Sequence, residues 1–101
     1  MIEISGYNFE GPYSSTANVE DKAGIYVILC DSTSKYILID CGESATVKSR
    51  IDTHDRKDCW KLNCSGTLCV AVYYTPNMQQ SERIAIEQQI RRGYDPPCGK
   101  R

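Results

Sequence analysis

Gly24-Ile25-Tyr26-Val27-Ile28-Leu29-Cys30, the cluster Asp31-Ser32-Thr33-Ser34, and Lys35-Tyr36-Ile37-Leu38-Ile39-Asp40 form the stretch whose reading decides the fold. The two outer pieces are rich in β-branched and aromatic residues, and the polar cluster between them is turn chemistry, so the segment reads as a β-hairpin. Neither piece alternates cleanly between apolar and polar residues, which fits strands covered on both faces. A third run, Thr67 to Tyr74, is the strongest strand of the chain and closes in the turn Thr75-Pro76-Asn77.

Outward from the hairpin the period changes. Gly42-Glu43-Ser44 breaks the strand, and Ser44 reads as the N-cap of a helix from about residue 45 to residue 54. Val47 and Ile51 fall on one face of that helix; Arg50 and His54, four residues apart, share another stripe with Cβ atoms about 5–6 Å from each other. Residues 55–65 are polar except for Trp60 and Leu62, which fits a short second helix or an ordered loop. A last helix is predicted over residues 81–92, with Ile86 and Ile90 as its packing stripe and Gly93 as its stop before Pro96-Pro97. Residues 1–22, punctuated by Gly6, Gly11, Pro12 and Ser14-Ser15-Thr16, read as an irregular lead-in anchored by Phe9 and Tyr13. The expected class is α+β: a small three-stranded antiparallel sheet flanked by helices, in a single domain over residues 1–101.

Length and composition agree with one domain. The chain has 101 residues, 41% apolar and 25% charged, enough for one small core. Its apolar runs are far shorter than the roughly 20 residues that span a bilayer, and the first fifteen residues lack a basic start and an apolar run. The expectation is therefore no membrane association and a cytoplasmic location. The net charge of −1 hides an asymmetry, with −5 over residues 1–44 and +4 over residues 45–101. Lys48, Arg50, Arg56, Lys57 and Lys61, brought onto one face, would receive a phosphate chain; an ordinary solvated surface is the alternative. The six cysteines read mainly as reduced, mostly buried thiols, since a disulfide framework needs an oxidising compartment and nothing in the sequence directs the chain to one. Zinc at His54, Cys59, Cys64 and Cys69, which recur at five-residue steps, is the weaker reading, because the chain contains no Cys-x-x-Cys knuckle.

Four separated pieces resemble the signature of the GIY-YIG nuclease superfamily. They are Gly24-Ile25-Tyr26 on the first strand and Asp40-Cys41-Gly42-Glu43-Ser44 at the end of the second. Arg50 and His54 follow on the next helix, and Glu87 stands on the last helix, with Ile90, Tyr94, Pro96 and Pro97 after it. The match covers residues 24–99, and its order follows the predicted elements. Two positions depart from the pattern: Asp40 stands for the family's second tyrosine, and Gly99 for an asparagine near the end of the domain. The stretch between the two motifs is also long, which a wider hairpin turn would absorb. The chain is thus similar to a stand-alone prokaryotic variant whose second motif reads Asp-x-Gly-Glu-Ser.

The resemblance implies a divalent-metal-dependent endonuclease acting on DNA. Glu87 would hold a single Mg²⁺ or Mn²⁺ ion, whose shell water and substrate phosphate complete. Arg50 would grip the scissile phosphate through two parallel donors. His54 would contact the phosphate or order the attacking water, and Tyr26 would accept a proton from that water, given positive charge nearby to poise a phenol of pKa ~10. Asp40 is open to three readings: a second metal ligand, a proton acceptor from Tyr26, or the mark of a site that has lost its chemistry. Each residue has a structural alternative. Glu87 would pair with Arg83 or Arg91, Arg50 would sit on a solvated face, His54 would cap the helix, and Tyr26 would pack in the core. Trp60 reads as core or edge packing ahead of base stacking. The rival functions are a nucleic-acid-binding module that keeps the fold without cleavage, and a protein-interaction domain. So small a domain would recognise a DNA structure or take its targeting from a partner protein.

Overall fold

The computed structural model describes residues 1–99. Eight elements follow along the chain: β1 (Ile2–Ile4), β2 (Tyr7–Tyr13), β3 (Gly24–Ser32), β4 (Lys35–Ser44), α1 (Val47–Asp52), α2 (Lys57–Leu62), β5 (Thr67–Tyr74) and α3 (Gln80–Tyr94). The class is α+β, and every strand pairing is antiparallel, in the order β1-β2-β5-β3-β4. The strand carrying Gly24-Ile25-Tyr26 lies between β5 and β4.

The sheet has five strands where three are expected from the sequence, and the additional two come from the segment that reads as an irregular lead-in. The physical reason is a tight hairpin. Ser5 and Gly6 both take positive φ (53° and 85°) between the paired residues Ile4 and Tyr7, the backbone of a two-residue turn that suits strand twist. Ile4 and Phe9 then turn inward, and β2 continues the sheet along β5.

β3 and β4 meet in another two-residue turn, Thr33-Ser34, both at positive φ. The connection is therefore a tight turn and not the wider one expected. The ladder carries a β-bulge, where Ile28 pairs with Asp40 and Leu29 with Leu38, leaving Ile39 as the added residue. A bulge bends its strand and re-aims the neighbouring side chains. Here Ile39 and Asp40 both serve the side of the sheet that carries α1 and α2.

Both faces of the sheet are buried. On one, Ile25, Val27 and Leu29 pack with Ile4, Phe9, Ala71, Ile86 and Ile90. On the other, Tyr26 and Ile28 pack with Val70 and Val72 under Val47 and Ile51 of α1 and Trp60 of α2. α1 is shorter than expected and starts after Thr46; Ser44 ends β4, and its hydroxyl accepts the Thr46 N–H at 2.9 Å. α3 begins where the Glu82 carboxylate accepts the Gln79 N–H (3.2 Å), and ends at Asp95 in the left-handed region (φ 46°). No helix among the described residues is long and apolar enough to cross a membrane.

The cysteines correct the reading of reduced thiols. Cys30 pairs with Cys64 and Cys59 with Cys98, leaving Cys41 and Cys69 as buried free thiols. Among the described residues no group of three or more His, Cys, Asp or Glu side chains could hold a metal ion, so His54, Cys59, Cys64 and Cys69 do not form the zinc site that their spacing suggests. The first bridge ties β3 to the end of α2. The second ties the start of α2 to the tail after α3, where the Cys98 N–H also donates to Ile39 O at 3.1 Å. That contact, together with Arg91 donating to Cys41 O, covers the open edge of β4.

Cys59 and Cys98 are 39 positions apart. Replacing both with serine is expected to lower the unfolding free energy by about 3–4 kcal/mol in chemical denaturation. Alkylation of denatured, unreduced protein should add two groups, on Cys41 and Cys69, when read by intact mass.

Candidate active site

Tyr26 stands opposite Gly42 in the β3–β4 ladder. A Cβ on Gly42 would overlap the Tyr26 hydroxyl and ring, so a glycine in the second motif lets the phenol lie against the β4 backbone. The Tyr26 hydroxyl then reaches His54 Nε2 at 2.7 Å, and both side chains are buried. His54 lies just beyond the end of α1, where the Arg56 backbone N–H donates to its Nδ1 at 3.1 Å. A backbone N–H only donates, so the network assigns the ring proton to Nε2, and Tyr26 Oη accepts it.

The same surroundings set the charges. Burial, helped by the Arg50 and Arg56 guanidiniums, pushes the His54 pKa down to about 4, against the opposing pull of Asp40 and Asp55. Burial raises Tyr26 to about 12; Arg50 and Arg56 pull in the direction expected for a poised base, but burial prevails. At neutral pH the pair is a neutral imidazole and a phenol. Arg50 itself is half-exposed and pairs with Asp55 (Nη2 to Oδ1, 3.2 Å), whose carboxylate is also 3.4 Å from His54 Nδ1.

Asp40 is fully buried and its carboxylate is surrounded by N–H donors. Oδ2 accepts from Arg56 Nε and Trp60 Nε1, each at 2.8 Å; Oδ1 accepts from Arg91 Nη2 at 2.8 Å and from the Cys41 N–H at 2.7 Å. Burial alone would raise its pKa, but the bonds from Arg56, Trp60 and Arg91 hold it below the usual carboxylate range. With both oxygens so occupied, Asp40 fits neither a metal ligand nor a proton acceptor for Tyr26, whose hydroxyl is bonded to His54. Trp60 packs rather than stacking in solvent: it is buried, with its ring centroid 4.7 Å from that of His54.

Glu87 projects from α3, and its Oε2 accepts Arg91 Nε at 3.0 Å. The ion pair that is its structural alternative is thus present, with Arg91; Arg83 is bonded instead to Glu43 at 2.9 Å. Glu87, Arg56, Arg91, Gln88, Asp95, Pro96 and Gly99 line a cleft of about 430 Å³. Glu87 and Asp95 are the carboxylates of this cleft, and among the described residues no group of three or more His, Cys, Asp or Glu side chains could hold a metal ion.

Four of the five residues singled out in the sequence therefore join one network, which runs from Glu87 through Arg91 to Asp40 and on through Arg56 to His54 and Tyr26. Arg50 stands beside it, bonded to Asp55, whose carboxylate faces a His54 Nδ1 that carries no proton to donate. The sequence marks Arg56 only as part of a basic surface and Arg91 only as an ion-pair partner. Their shared role at Asp40 depends on contacts 16 and 51 positions apart, which no local pattern signals.

Gly42→Ala is expected to displace the Tyr26 ring and cost about 1–3 kcal/mol in denaturation. Stability should also fall as pH drops from 6.5 to about 4, because in that window the unfolded histidine binds a proton that buried His54 refuses. Below that window Asp40 adds a further loss as its depressed pKa is approached. A pH series of denaturation curves checks both; His54→Gln should flatten the upper window and leave the lower one.

Compared with family models, curated proteins and solved structures, the chain matches none.

Proposed function

We propose that this chain is a divalent-metal-dependent endonuclease of the GIY-YIG type that hydrolyses DNA phosphodiester bonds. The observation that supports the reading is the joining of Tyr26, His54, Asp40 and Glu87 in one bonded network, with Arg50 beside it, although they come from β3, the loop after α1, β4, α3 and α1.

Each side chain has work that its geometry suits. The half-exposed guanidinium of Arg50 offers two parallel donors to a phosphate, with Asp55 as the partner it exchanges. The Tyr26 oxygen accepts the His54 Nε2–H, so its own O–H remains to donate toward a phosphate oxygen or the attacking water. When Tyr26 gives up that proton, the same His54 N–H stabilises the charge left on its oxygen. Arg56 and Arg91 line the cleft and add positive charge beside Glu87. Glu87 would hold a Mg²⁺ or Mn²⁺ ion, which would supply charge stabilisation for the hydrolysis. DNA is the proposed partner, and the Cys30–Cys64 and Cys59–Cys98 bridges favour an oxidising setting over the cytoplasm expected from the sequence. Targeting comes from a DNA structure or a second protein.

A second reading, a DNA-binding module without cleavage, is favoured by one observation: Tyr26 is only 1% exposed, so substrate reaches its hydroxyl only if the cover over it moves. Plasmid nicking with Mg²⁺ or Mn²⁺ separates the two. The endonuclease predicts nicking that is lost in Glu87→Ala and reduced about 10²-fold or more in Tyr26→Phe. Salt-dependent DNA binding with no nicking under either ion would replace it with the binding module.

A further inference from the structure

Asp40 and Gly99, far apart in the sequence, meet at one guanidinium. Gly99 has φ +79°, and a Cβ built on it would lie 2.7 Å from Arg91 Nη2, 2.9 Å from Arg91 Nη1 and 3.0 Å from Asp40 Oδ1. A side chain there would press on the contact between Arg91 and Asp40. The carboxylate at position 40 and the missing side chain at position 99 thus serve one and the same guanidinium.

We propose that Asp40 is a positioning residue, which fixes Arg91 and through it Glu87, and which fixes Arg56 as the second guanidinium of the same cleft. This rests on the reading of Glu87 and the cleft as the active site. Arg91 is suited to the relay because its donors are divided: Nη2 goes to Asp40 and Cys41 O, Nη1 to Cys98 O at 3.0 Å, and Nε to Glu87. Its planar fork leaves the Glu87 carboxylate a single approach. Arg56 is held by Nε on Asp40 Oδ2 and a longer Nη2 contact of 3.3 Å to Oδ1. Without Asp40 both guanidiniums would regain their rotamer freedom, and Glu87 would lose the partner that orients it.

The test compares wild type, Asp40→Asn and Gly99→Ala by NMR of the arginine Nε–H groups and by nicking kinetics. In wild type, the Nε–H signals of Arg56 and Arg91 should exchange slowly with solvent. In Asp40→Asn both should exchange about tenfold faster or more, whereas in Gly99→Ala only that of Arg91 should change. In nicking, both variants should lower kcat by about tenfold or more with KM for DNA close to wild type, as expected when orientation rather than binding is lost. A folded Asp40→Asn that keeps both slow signals, or keeps the wild-type kcat after losing them, overturns the proposal. If Asp40→Asn does not fold, wild type and Gly99→Ala decide: fast exchange of Arg91 in wild type, or an unchanged Arg91 signal in Gly99→Ala, overturns it. If wild type does not nick DNA at all, the endonuclease reading fails, while the NMR signals still decide what Asp40 holds.

Discussion

The structure depends most on one buried charge. Asp40 lies at 0% exposure, and an isolated carboxylate there would be far too costly to keep ionised. It stays charged because α2 supplies Arg56 at its N-terminal border and Trp60 within it, α3 supplies Arg91, and β4 supplies its own Cys41 N–H. A buried ion cluster of this kind adds little net stability against a well-packed apolar substitute, but removing one member is strongly destabilising. Its consequence is placement. Two helices and the edge strand must meet at one point, and the cleft forms where they do.

Much of this arrangement is legible in the chain, and the limits are physical. Gly24–Cys30, Lys35–Asp40 and Thr67–Tyr74 announce their strands through residue type, and both major helices announce their core faces through Val47, Ile51, Ile86 and Ile90. The first hairpin is within reach: Ile2, Ile4, Tyr7 and Phe9 alternate around Ser5-Gly6, but runs this short are easily outweighed by the turn residues after them. The bulge at Ile39 is not readable, because a single added residue in an apolar run changes no local pattern. The cysteine pairings are not readable either, since Cys30 and Cys64 become neighbours only after the sheet has formed.

The site shows the same division. Residue types and order point to Tyr26, Asp40, Arg50, His54 and Glu87, yet give no account of what each touches. Only the fold reveals that Asp40 is surrounded by N–H donors, that Arg56 orients His54 through its backbone, and that Tyr26 lies beneath the surface with its pKa raised. A phenol that is buried and neutral is poor as a resting base and good as a fixed donor. Under the proposed function a phosphate has to reach the Tyr26 hydroxyl, and the side chains that cover it have to move to admit it.

The most direct measurement is a crystal structure of the Glu87→Gln variant with a short DNA duplex. A phosphate should lodge between Arg50 and the cleft wall at residue 87, within hydrogen-bonding distance of the Tyr26 hydroxyl. A duplex bound elsewhere on the molecule, with the Tyr26 hydroxyl still buried against His54, would contradict it.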